Sequence, residues 1–159
     1  MRAVVQRVAE AQVGVDGKTV GSIPGGLLVF LCMMAGDTGD DEAWMANKLG
    51  LLRVFVDAGG KMNRSLQDLL TTPSPAGVLL ISQFTLAAEL GPGRSKGNRP
   101  SFRAAMSPEE AAAAIGRMAL ALQQRGFLVA SGVFGRHMQV HSVNDGPVTL
   151  WLDSKATHG

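Results

Sequence analysis

The sequence predicts one α+β domain spanning residues 1–159: a strand-rich mixed sheet or partly closed barrel, with two main helices packed on one side. Three observations lead there. Strand-like segments open and close the chain, while two helical segments lie between them. A length of 159 residues suits one ordinary core. With 46% hydrophobic against 18% charged residues, the chain can offset its ordering entropy, so disorder is excluded as its main state. No repeat, low-complexity tract or linker divides it.

Residues 1–35 alternate as half-buried strands do, with Val4, Gln6 and Val8 forming one alternate set. Asp16-Gly17 then separates two such runs and signals a two-residue hairpin that needs positive φ. Pro24-Gly25-Gly26 makes the next break, and LLVFLCMM after it reads as a strand buried on both faces. From Asp40 to about Val54 the spacing turns helical, with acids at the start and Lys48 and Arg53 towards the end. Asp57-Ala58-Gly59-Gly60 closes the short segment after that helix, and GVLLIS at 77–82 is a further buried strand.

Ser107-Pro108-Glu109-Glu110 marks the second helix start: Ser107 caps, Pro108 suits the first helical position and Glu110 completes a capping box. The alanine-rich helix runs to Gln124-Arg125, and Gly126 is its left-handed stop. Three short strands are expected beyond it, at 127–131, 138–143 and 148–152.

Cys32 is the one cysteine, which excludes an intrachain disulfide and a multi-cysteine zinc site and fits a reducing cytoplasm. Arg7 and Glu10 interrupt the opening apolar residues before a secretory core forms, and the longest apolar run, 27–35, is far short of the roughly 18 residues that span a bilayer. The expectation is a cytoplasmic protein with no membrane partner. Net charge is only +2, but Arg94, Lys96, Arg99 and Arg103 fall in a stretch with no acid, so one local basic site on a nearly neutral body is expected.

A scan for general enzyme chemistry gives little. His137 and His141 stand four apart and share a face if both lie on one strand, but no cysteine or acid cluster accompanies them, so no metal is assigned. Cys32, between Leu31 and Met33, reads as a small core hydrophobe. There is no G-x-S-x-G elbow and no base spaced to activate Ser82 or Thr85, and the glycines at 91 and 93 precede a basic loop rather than a helix. Two segments are left. Ser82-Gln83-Phe84-Thr85-Leu86 sets polar side chains at the carboxyl end of an apolar strand, where backbone amides lose their ladder partners. Asn144-Asp145-Gly146-Pro147-Val148-Thr149 reads on its own as a turn before the last strand.

Taken together, SQFTL at 82–86, GNRPSF at 97–102, NDGPVT at 144–149, the opening MRAVVQRV and KMN at 61–63 closely resemble the bacterial and eukaryotic D-aminoacyl-tRNA deacylases, from Met1 to about Asp153. The resemblance implies a cytosolic homodimer, without a cofactor, that hydrolyses the ester joining a D-amino acid, or glycine, to the 3′-terminal adenosine of tRNA. It also implies that Ser82, Gln83, Phe84 and Thr85 form the catalytic pocket. Into that pocket the other subunit would insert a Gly-Pro pair with a cis peptide, here Gly146-Pro147, for chiral selection. A cis X-Pro bond is one a fold can hold, and it points adjacent carbonyls the same way. Carbonyls of Gly146 and Pro147 that accept from the substrate ammonium would pin its Cα and drive an L side chain into the dipeptide.

Within that implied site, Arg7 is the candidate to fix the dipeptide by donating to a backbone carbonyl, weighed against a surface ion pair. Amides near Phe84 and Thr85 would supply an oxyanion hole, with water, assisted by the substrate's ribose hydroxyl, favoured over Thr85 as nucleophile. Arg94, Lys96, Arg99 and Arg103 would contact tRNA phosphates. The chain departs from the family pattern at residues 87–93 and at Arg136-His137, where Ala-Asp is common. Two alternatives stay open on the sequence: a related editing deacylase with a trans Gly-Pro and a different misacylated substrate, and a non-catalytic tRNA-binding dimeric module.

Overall fold

The structure, a computed structural model, describes residues 1–72, 76–90 and 98–156. The opening strand β1 (Arg2–Val15) organises it. On one edge β1 pairs antiparallel with β3 (Gly26–Cys32) over its first half and with β2 (Lys18–Ile23) over its second; on the other edge it pairs with β8 (Gln139–Asp153) along nearly its whole length. The turn between β1 and β2 is the Asp16-Gly17 hairpin, with φ of 50° and 76°. Beyond β3 the sheet continues in parallel through β6 (Gly77–Ser82) to β7 (Leu128–Ser131). The sheet then curls until β2 meets β7: a side chain at Gly21 would begin 2.8 Å from the Ser131 carbonyl oxygen. The result is the mixed, nearly closed barrel of a single α+β unit.

Burial on both faces explains why β3 and β6 read as continuous apolar runs. Leu28, Leu79 and Ile81 point into the barrel with Val8, Val13 and Ile23. Their neighbours Leu27, Val29, Leu31, Val78 and Leu80 face outward, where they are covered by the two main helices, α1 (Gly39–Leu51) and α3 (Pro108–Gln124). Met45 and Leu49 of α1 and Met118 and Leu122 of α3 complete that outer core. Both starts obey the capping logic. Thr38 and Asp41 form a reciprocal box at α1, and Ser107 accepts the Glu110 amide at α3. At α3 the Glu110 carboxylate takes the Ser107 hydroxyl instead of the cap amide, so the expected reciprocal box is half made.

Other boundaries move for physical reasons. α1 stops at Leu51 rather than near Val54, because Leu52 turns extended and Val54 is drawn into the core. Phe127 lies outside β7 and packs into the outer core instead. Residues 55–64 hold a small hairpin, β4 (Phe55–Val56) and β5 (Met62–Arg64), with Asp57 receiving the Gly59 and Lys61 amides across the turn. A single helical turn, α2 (Leu66–Leu69), comes next. The strands expected at 138–143 and 148–152 are one strand, β8, interrupted by a bulge. Among the described residues no helix is long and apolar enough to cross a membrane.

Candidate active site

The apolar run of β6 ends at Ser82, and the Gln83 amide still follows β3 by donating to Leu31 O at 2.8 Å. There the chain leaves the ladder and closes one 3-10 turn, Phe84–Ala87. Its bonds run from Leu86 N–H to Gln83 O and from Ala88 N–H to Thr85 O. The amides of Phe84 and Thr85 therefore have no acceptor among the described residues, as the first donors of any helical turn must. The Thr85 hydroxyl accepts from Gln83 Nε2 and touches no titratable group among the described residues.

Two side chains, Arg2 and Cys32, hold the turn. Arg2 Nη1 donates to Leu86 O at 3.1 Å, while its Nε reaches Asp153 at 3.2 Å and its guanidinium lies 6.0 Å from the Trp151 ring centre. Cys32 Sγ lies 3.7 Å from Phe84 O. Burial pushes the Cys32 thiol up, which suits a packing role and not a nucleophile.

Beside this turn opens a cavity of about 680 Å³. Ser82, Gln83 and Phe84 form one wall, with Phe102 standing edge-on to Phe84 at 5.1 Å. The segment before α3 supplies Arg103 and Met106, and the connection between β7 and β8 supplies Phe134, Arg136 and His137. Among the described residues no acidic side chain lines it. Among the described residues no group of three or more His, Cys, Asp or Glu is placed to hold a metal. His137 precedes β8 while His141 lies on it, so the two do not share a strand face.

The second segment is the β8 bulge. Between the pairs Gln6↔Thr149 and Val8↔Asn144, β1 contributes only Arg7 while β8 contributes the four residues 145–148. Asn144 staples this excursion, accepting the Val148 amide at 3.0 Å and donating to the Thr149 hydroxyl at 3.0 Å. Beneath it Arg7, buried, donates to Val54 O at 2.6 Å and Asp145 O at 3.2 Å and pairs with the Asp145 carboxylate at 2.9 Å. Arg7 thus bonds main-chain oxygens beside the dipeptide and also forms an ion pair, from a buried position and not on the surface. The Gly146-Pro147 peptide is cis, Gly146 has φ +122°, and both residues are exposed. A Cβ at Gly146 would lie 2.8 Å from Arg7 Nη2.

The residues singled out in the sequence therefore separate. Ser82, Gln83, Phe84 and Arg103 line the cavity; Thr85 lies on the turn but not in the lining, and Arg99 is exposed away from it. Arg94 and Lys96 lie outside the described residues. Gly146, Pro147 and Arg7 are together but elsewhere. The row through Ser82 crosses β1 at Ala3, four residues from Arg7, roughly 13 Å along the strand. Arg2 and Cys32 escape a sequence reading of the site because each acts through a partner more than 50 residues away, for which a single sequence carries no signal.

The family model described as D-Tyr-tRNA(Tyr) deacylase matches residues 4–153. A D-aminoacyl-tRNA deacylase of Myxococcus xanthus is 51% identical over 154 residues, covering 97% of this chain and 95% of the relative. One of Dinoroseobacter shibae is 48% identical over 153 residues, covering 96% and 99%. Among solved structures, a c-Myc DNA unwinding element binding protein superposes with TM-score 0.84 at 38% identity, over 98% of this chain and 100% of that one. A probable eukaryotic D-amino acid tRNA deacylase, 17% identical with TM-score 0.74, covering 95% and 97%, shares the fold.

Proposed function

The chain belongs to the D-aminoacyl-tRNA deacylase family, hydrolases of the aminoacyl-tRNA ester bond, and from that premise we propose a cytoplasmic homodimer whose active site is shared between two copies. The cavity beside Ser82, Gln83 and Phe84 of one copy takes the aminoacylated 3′ end of tRNA, and the Gly146-Pro147 bulge of the other closes over the amino acid. The observation that carries this reading is the separation of the two segments: each is firmly built, yet they sit on different rows of one sheet and no residue of 144–149 lines the cavity. A second copy supplies what one lacks. The outer edge of β8 suits such a partner, since it pairs with no strand among the described residues and carries exposed Val143 and Trp151.

In that arrangement the carbonyls of Gly146 and Pro147 accept from the substrate ammonium and fix its Cα. An L side chain then points into the dipeptide and is rejected, whereas D side chains and glycine are admitted. The scissile carbonyl oxygen lies against the amides of Phe84 and Thr85, whose protons have no competing acceptor among the described residues; donors so placed are worth about 3 kcal/mol each to the transition state. Water, assisted by the substrate's own ribose hydroxyl, attacks the carbonyl carbon. The ester C–O bond breaks, and the terminal ribose oxygen leaves with a proton. Thr85, engaged by Gln83 and lacking a base, positions groups and forms no acyl-enzyme.

Mixing separately inactivated Gln83→Ala and Gly146→Ala proteins tests the sharing. Random exchange makes half the dimers mixed, each with one intact site, so about a quarter of wild-type activity on D-aminoacyl-tRNA should return. No recovery despite demonstrated subunit exchange would refute it. Matched D-, L- and glycyl-tRNA offered to the wild type then test selection.

A further inference from the structure

We propose that Arg136 and His137 form a second wall of hydrogen-bond donors in the cavity, with Arg136 supplying the charge, which grips phosphates of the tRNA acceptor end; this rests on the tRNA reading above. The two residues sit in the connection from β7 to β8, a turn closed by Arg136 N–H to Val133 O at 3.2 Å with Gly135 at φ +73°. They line the same cavity as Ser82, Gln83 and Phe84, and both are exposed, so a ligand reaches them from solvent. Arg103, on the segment before α3, lines it too and forms no ion pair among the described residues.

The charge balance selects an anion. Two arginines and a histidine share a cavity lined by no carboxylate among the described residues, and most of its other lining is apolar. A nucleoside suits the apolar part, and the phosphates that succeed it along the strand suit the cations at the rim. The start of α3 is not the anion site, because Ser107 already accepts the Glu110 amide there and Glu109 adds negative charge. Arg136 also has a partner, Asp16 of the β1–β2 turn, at 2.7 Å. That pair is exposed on both sides, and such pairs hold a side chain weakly. A guanidinium presents five donors, so Arg136 can keep Asp16 on one edge and offer the other to phosphate.

The test compares wild type with the double variant R136A/H137A on D-aminoacyl-tRNA and on the same D-aminoacyl ester of adenosine, which has no phosphate. The expected result is a roughly tenfold rise in KM on tRNA with kcat little changed, shrinking to about twofold on the adenosine ester. Binding of a tRNA acceptor-stem hairpin should also lose about one or two from the slope of log affinity against log salt. An equal loss on both substrates marks a structural defect and overturns the proposal, as does an unchanged KM and salt slope. A wild type inactive on D-aminoacyl-tRNA defeats the reading beneath it, while hairpin binding still decides the wall.

Discussion

The two ends of the β1 ladder solve opposite problems with the same material. At the Ala3 end, β6 breaks off beside a concave pocket into a turn whose Phe84 and Thr85 amides have no acceptor among the described residues. At the Arg7 end, β8 swells into a ridge, stapled by Asn144 and braced by a buried arginine, with Asp145, Gly146 and Pro147 exposed. On the proposed reading, one region is a receptor and the other a probe. Their difference teaches that in both the main chain would do the work, held still by the side chains of Arg2, Arg7 and Asn144.

The sharpest way to break the comparison is at Gly146. Alanine there adds a Cβ that meets Arg7 Nη2 at 2.8 Å and Val148 Cγ2 at 2.9 Å, in a φ region side chains rarely adopt. D-aminoacyl-tRNA hydrolysis should fall at least about tenfold while circular dichroism stays native. Wild-type rates would mean that the ridge tolerates distortion and is no probe. A smaller effect belongs to the receptor. Arg2→Ala removes the donor to Leu86 O, roughly 1 kcal/mol, and should lower kcat about fivefold, with Arg2→Lys recovering part of it; an unchanged kcat would show the turn holds itself.

The smallest effect on either region is expected at Asp41. Its side chain is nearly buried, and desolvation alone would raise its carboxyl, but hydrogen bonds from Ser154, the Thr38 amide and Lys155 together hold it well below the usual carboxylate range. A carboxyl depressed in the folded state adds stability above its ordinary value near pH 4, and that stability fades as pH falls further. Asp41→Asn should therefore lower Tm by a few degrees at pH 7, less at pH 3, with kcat unaltered at a temperature well below either Tm. A pH-independent Tm difference would show that shape, not charge, is at stake.

Much of the fold was legible because local chemistry and tertiary demand agree. Asp16-Gly17, Ser107-Pro108, Gly126 and GVLLIS all act as their residue types require. The long β8 was not legible: Asn144-Asp145-Gly146-Pro147 carries the chemistry of a turn, and only pairing with distant β1 makes it an excursion from a continuous strand. The pocket shows the same divide. SQFTL announces itself by polar residues at a strand end, whereas Arg2 and Cys32 join through contacts that no local pattern encodes. The hairpin at residues 55–64 escaped because its strands hold only two and three residues.

Arg7 bonds the ridge and the Val54 carbonyl with one guanidinium, and Val54 is the first core residue after α1. On the proposed reading, loosening of that hydrophobic interior also displaces the ridge that grips the amino acid. On that reading, warming or core mutation should lower the discrimination between D- and L-aminoacyl-tRNA along with stability.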